Sequence, residues 1–156
     1  MEMFGSVIDK PKKPQFYAIK LSVNKEMFSK YIMKESFLSH VTLKYKPQRE
    51  EIEAFNAIVG SEVTLKSKYI LTKDGVGSTL VFQDVKEYFG ESEAHLTIST
   101  NGQSPSISND IIIQHNERMG EIKCIPFELK LSGIICGAVY GKKGLTFVSD
   151  AKWLRV

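Results

Sequence analysis

Two short stretches, Ser39-His40-Val41-Thr42-Leu43-Lys44-Tyr45 and Ala94-His95-Leu96-Thr97-Ile98-Ser99-Thr100, place an apolar residue at every second position. An extended chain points its side chains alternately to two faces, so such a run predicts a strand buried on one side. In the first, Val41, Leu43 and Tyr45 face the core while His40, Thr42 and Lys44 face away. In the second, Leu96 and Ile98 point inward, and His95, Thr97 and Ser99 point outward. The chain has three histidines, and two of them occupy the same place in the same pattern, each followed on its own face by a threonine. One such strand is ordinary surface decoration. Two in the same phase point to the halves of one site.

The remaining sequence supplies elements to carry these strands. Phe16 to Val23 reads as a strand with Tyr17, Ile19, Leu21 and Val23 on one face, and Asn24 caps a helix whose stripe is Met27, Phe28, Tyr31 and Ile32. Pro47 ends the first His-x-Thr strand, and a helix from Gln48 to about Val59 buries Ile52, Phe55, Ile58 and Val59 before Gly60 stops it. From Glu62 the period becomes two, with Val63, Leu65, Tyr69 and Leu71 on one face, and Lys73-Asp74-Gly75-Val76-Gly77 turns the chain into a strand from Ser78 to Val85. A polar stretch, Lys86 to Glu93, leads to the second motif. Beyond it, Ser104 to Asn109 is a loop that caps at most a short helical turn, and Ile111-Ile112-Ile113 is too short to assign. Strands then run from Phe127 to Ser132, from Ile134 to Tyr140 and from Leu145 to Val148, the last two joined by a turn at Gly141 to Gly144. Strand outweighs helix, which predicts an α+β fold with antiparallel sheets.

At 156 residues the chain is read as a single domain, 1–156, with a substantial core. Met1 to Pro14 is expected to be a loosely held lead-in, because Lys10-Pro11-Lys12-Lys13-Pro14 combines two prolines with like charges and is expected not to pair into a sheet. A net charge of +3 favours an anionic partner only slightly and does not mark a dedicated nucleic-acid binder. Cys124 and Cys136 lack Cys-x-x-Cys spacing and are read as reduced, the second in the core; with no membrane-length apolar run and no signal-peptide pattern, the expectation is a cytoplasmic protein that does not enter a membrane.

The paired motif resembles that of the 2H phosphoesterase superfamily, and the resemblance implies a definite chemistry. Cleaving a phosphodiester requires a base to deprotonate the attacking oxygen and an acid to protonate the departing one. Histidine serves either role near neutrality, since its unperturbed pKa is about 6.5. His40 and His95 on opposite sides of one phosphorus therefore suffice for in-line displacement without metal or cofactor, and their individual roles stay open. Thr42 and Thr97 can donate to non-bridging phosphate oxygens and stabilise developing charge. Lys44 and Ser99 lie further along the same faces as candidate substrate contacts, and Lys44 is equally well read as a solvated lysine. Tyr17, Tyr45, Tyr140, Phe89 and Trp153 are further candidates for stacking on a base, although Tyr45 is in the core phase of its strand, Tyr17 shares the apolar face of its own, and packing explains Trp153 better. His115 has no motif around it and reads as a surface residue. Gly75-Val76-Gly77 lacks the strand-to-helix setting of a phosphate loop, and no cluster of ligands suggests a metal site.

His40-Val41-Thr42-Leu43 and His95-Leu96-Thr97-Ile98, 55 residues apart, resemble the two His-Φ-Thr/Ser-Φ motifs (Φ apolar) of the 2H phosphoesterase superfamily. The segment Asn101-Gly102-Gln103-Ser104-Pro105-Ser106-Ile107-Ser108-Asn109 is similar to the stretch that follows the second motif in the cyclic phosphodiesterase domain of plant and fungal tRNA ligases. The resemblance implies a bilobal fold in which two antiparallel sheets form a central groove with flanking helices. It further implies hydrolysis of 2′,3′-cyclic phosphate ends of RNA or nucleotides. A domain of this kind standing alone also resembles small phage 2H enzymes that degrade cyclic oligonucleotide signals. A module that holds nucleotides or RNA ends without turnover is the remaining alternative.

Overall fold

The computed structural model describes residues 10–83 and 93–156. Nine strands, two α-helices and two short 3-10 helices make up the described chain; β2–β6, β4–β5, β4–β7, β5–β6 and β8–β9 pair antiparallel, as expected of an α+β protein. The strands are β1 (Phe16–Leu21), β2 (Glu35–Ser36), β3 (His40–Tyr45), β4 (Glu62–Lys73), β5 (Gly77–Phe82), β6 (His95–Thr100), β7 (Lys123–Pro126), β8 (Lys130–Gly141) and β9 (Gly144–Val148). The α-helices are α1 (Arg49–Asn56) and α2 (Ile107–Asn116). The chain divides into two compact units. The Lys86 to Glu93 lead-in and Phe89 fall, apart from Glu93 itself, outside the described residues, as does the expected end of β5 beyond Gln83.

The first unit comprises the chain through Lys20, Thr42–Val63 and Ser132–Val156. Its strands run in the order β8-β1-β3, with β9 paired to β8. An inner strand is covered on both faces, and β1 accordingly buries Phe16, Tyr17, Ala18 and Ile19 in succession rather than alternating. Tyr17 stacks on Phe55 of α1 with ring centroids 4.8 Å apart. The two strands expected around Gly133 are one continuous β8, since that glycine is buried within it. Gly60, at φ 95°, ends the turn after α1, and a Cβ there would meet the Ser149 carbonyl at 2.9 Å.

The lead-in departs from expectation where it is described. Lys12 forms a parallel bridge to Leu154, donating to the Trp153 carbonyl at 3.0 Å and accepting from Arg155 N–H at 2.9 Å. Prolines at 11 and 14 lack donors, but Lys12 between them keeps its own.

The second unit comprises Leu21–Val41 and Thr64–Leu131. Its strands run in the order β2-β6-β5-β4, with β7 also paired to β4. The β4–β5 hairpin turns at the expected Lys73 to Gly77. A register shift at Ser67/Tyr69 breaks the alternation of β4, so Ile70 and Leu71 are both buried and Tyr69 is half-buried. The Ile111–Ile113 run belongs to a full helix, α2, whose Ile111 and Ile112 pack on Leu71 and Val81. β-branched residues lower helix propensity, and tertiary burial overrides it here. The helix after Asn24 is instead a 3-10 helix, Lys25–Tyr31, in which Phe28 is buried and Met27 is exposed. Asn24 does cap it, accepting from Glu26 N–H at 3.1 Å.

Candidate active site

Strand β6 is held along both edges. On one side it pairs with β5, and on the other Glu35 and Ser36 of β2 face Thr100 and Ser99. The same ladder continues past β2: Phe37 N–H donates to the Ile98 carbonyl at 2.9 Å and Leu38 N–H to the Thr97 carbonyl at 3.0 Å. Leu38 then takes a left-handed conformation, φ 46°, and the chain leaves β6. One residue later the Ser39 carbonyl accepts from Leu21 N–H at 3.2 Å. His40 follows Leu38 by two residues and His95 precedes Thr97 by two. Because the ladder is antiparallel, these steps run the same way along it. Both histidines therefore lie beyond the same end of the ladder, and both are half-buried.

The His95 ring is oriented by its neighbour. Its Nδ1–H donates to the Glu93 carbonyl at 3.3 Å, since a carbonyl can only accept. Nε2 is then the nitrogen with a free lone pair in the neutral ring. Burial lowers the His95 pKa below its ordinary value, outweighing the opposing bond to the Glu93 carbonyl and the Glu93 charge. Burial thus favours the neutral ring. His40 Nδ1 lies 3.1 Å from the Ser39 hydroxyl.

Glu93 is itself clamped. Its Oε1 accepts from Lys68 Nζ at 3.3 Å and its Oε2 from Asn116 Nδ2 at 2.8 Å. Burial pushes the Glu93 carboxyl up, but the bonds from Asn116 and Lys68 and the charges of Lys68 and His115 leave it below its ordinary value. His115 is half-buried at the end of α2, edge-on to Tyr69 at 5.3 Å, rather than a free surface residue.

Thr97 is half-buried, with its Oγ1 2.9 Å from the Ser108 hydroxyl and 3.4 Å from the Pro105 carbonyl. Ser108 is buried in the first turn of α2. If Ser108 donates to Thr97, the Thr97 proton is held only by the long bond to Pro105 and can turn to a ligand oxygen. Ser108 was not singled out by its residue type; the signal for it lay in the segment after the second motif.

Ser99 does not face outward as expected. It is fully buried, donating to the Glu35 carbonyl and accepting from Met33 N–H at 2.6 Å. The segment from Met33 to Ser36 runs along the β6 edge at this point, and the register of the opposite edge shifts at Ser78/Thr79.

Four other candidates, Thr42, Lys44, Tyr17 and Trp153, lie in the first unit. Thr42 is exposed on β3 between the buried Val41 and Leu43. Lys44, also exposed, pairs with Glu51 at 3.2 Å. Tyr17 has no accessible surface, and its hydroxyl donates to Ile52 O and Asn56 Oδ1; a side chain so enclosed cannot stack on a base. Tyr45, expected in the core, is 64% exposed at the strand end, before the left-handed Lys46. Trp153 is half-buried in the C-terminal 3-10 helix with Lys152 Nζ 5.6 Å from its ring.

Cys124 and Cys136 are both free thiols, the first exposed and the second buried, where burial pushes its pKa up to about 11. No helix among the described residues is long and apolar enough to cross a membrane. Compared with known proteins, the chain matches no family model, no curated protein and no solved structure.

Proposed function

We propose that the chain is a metal-independent 2H phosphodiesterase that opens 2′,3′-cyclic phosphates at RNA ends or on nucleotides. The observation that carries this reading is the ladder through Leu38 and Thr97, beyond one end of which both motif histidines lie. In the proposed reaction His95, neutral and with Nε2 free, takes a proton from the attacking water. His40 delivers a proton to the departing ribose oxygen. The P–O bond to water forms as the bond to one ring oxygen breaks, leaving a phosphate monoester and a hydroxyl. Thr97, with its hydroxyl set by Ser108, donates to a non-bridging oxygen as charge builds there. Thr42 takes the matching role in the first motif, and the bilobal 2H fold belongs to the same reading.

The test is a panel of RNA 2′,3′-cyclic phosphates and cyclic dinucleotides assayed in EDTA. Ring opening to a monoester in the presence of chelator is the expected result. Turnover confined to cyclic dinucleotides would move the substrate to a signalling nucleotide. Activity that appears only when a divalent metal is added would end the two-histidine mechanism, and binding of cyclic ends without turnover would make the chain a binding module.

A further inference from the structure

We propose that the cavity walled by Lys10, Lys12, Lys13, Arg155 and Tyr140, in the first unit, binds single-stranded nucleic acid through phosphate contacts and stacking. The cavity has a volume of about 730 Å³, and four cationic side chains line it together with Pro11, Gln15 and Tyr140; among the described residues no acidic side chain lines it. Tyr140 is 61% exposed. An open aromatic face surrounded by lysine and arginine is the arrangement that takes a base on the ring and the flanking phosphates on the cations.

The basic segment is fixed in place. Lys12 is bonded through its N–H to Trp153 and through its carbonyl to Arg155, and Gln15 donates to the Ala138 carbonyl at 2.7 Å while accepting from Lys46 N–H at 2.9 Å. The backbones that carry Lys12 and Arg155 are therefore tied to one another, and binding does not have to order them. Concavity decides between two anionic partners. A bilayer surface favours protruding apolar side chains, whereas here the aromatic ring lines a hollow large enough for a nucleotide.

The site uses neither histidine motif, so its test is separate from that of the proposed activity. A fluorescent oligouridylate of ~12 nucleotides, within the usual span of single-strand sites, with a 3′-hydroxyl and no cyclic end, is titrated with the full chain in EDTA over a range of salt. Saturable binding is expected, with log K falling against log salt at a slope of about −3 if all four cations meet phosphates. Lys10→Glu with Lys13→Glu should weaken binding about tenfold and flatten that slope by about 1.4. Tyr140→Ala should weaken it about fivefold or more at an unchanged slope, and Tyr140→Phe should restore it. His95→Ala should bind as the parent does.

Lys142→Glu with Lys143→Glu, at the exposed β8–β9 turn, is the control for overall charge. An equal loss in that control would overturn the proposal. So would an absence of binding by the parent chain, indifference to Tyr140→Ala, or preferential capture by phosphatidylserine vesicles or polyglutamate. Thermal melts of each variant separate lost binding from lost folding.

Discussion

Leu38 gives its backbone N–H to the Thr97 carbonyl at 3.0 Å, and through that bond the two histidine motifs share one ladder. Neither motif would gain anything from its partner if the strands lay in unrelated parts of the chain. The left-handed turn at Leu38 carries His40 away from β6 immediately after the shared ladder ends. That position cannot be adopted by a β-branched residue without strain.

Replacement of either histidine tests the shared end directly. His40→Ala or His95→Ala is expected to lower turnover of a cyclic phosphate by about 10²–10⁴-fold, the usual worth of one positioned proton transfer. Neither side chain is fully buried, so thermal melts should change little. If the two act as a unit, the double variant should be hardly slower than the worse single one. Near-normal turnover in a folded single variant would remove the site from this face.

The depressed His95 pKa has a pH signature in stability. A group that the folded state keeps neutral costs nothing above its unfolded pKa of about 6.5. As pH falls below that value the unfolded chain takes up the proton first, and stability drops until the folded pKa is passed. Denaturant titrations of the parent chain should therefore lose stability below about pH 6.5, and His95→Asn should remove part of that loss. An identical acid limb in both proteins would contradict the burial of the ring.

The two motif strands were legible because their alternation is simple: Val41, Leu43, Leu96 and Ile98 are buried while His40, Thr42, His95 and Thr97 keep accessible surface. The pattern failed where neighbours rather than the strand set exposure. Ser99 is covered by the segment before β3 and lies next to a register shift, and Tyr45 is released where the strand gives way to Lys46. Helix α2 was hidden by its isoleucines, whose partners Leu71 and Val81 lie far away in sequence. The bridge at Lys12 depends on Leu154, at the other end of the chain. No local window contains such information.

Ser108 offers a finer test of how Thr97 works. Thr97→Val, which keeps the shape and removes the hydroxyl, should slow turnover by up to about 10²–10³-fold, as for loss of one donor to developing charge. Ser108→Ala leaves Thr97 in place but removes the partner that fixes its hydroxyl, leaving only the 3.4 Å bond to the Pro105 carbonyl to orient it. A smaller fall is expected, about tenfold, with kcat affected more than KM, since the bond to phosphate strengthens as charge develops. Equal losses in the two variants would mean that Ser108 itself touches the substrate.

Glu93 joins the clamp to the His95 ring. Its carboxylate is held by Lys68 and Asn116 and its carbonyl holds His95 Nδ1–H, so loosening the side chain should loosen the group that selects the tautomer. In Glu93→Ala the Nε2-protonated form of His95 should rise, visible in the ¹⁵N shifts of the ring, and turnover should fall about tenfold, a fraction of the full loss expected when a general base is removed. Glu93→Gln keeps an oxygen for Asn116 or Lys68 and should recover part of both readouts. The nitrogen shifts report on the ring whether or not any substrate is turned over. Unchanged shifts in Glu93→Ala would show that the backbone at 93 is held without the clamp, and that Lys68 and Asn116 serve only the fold.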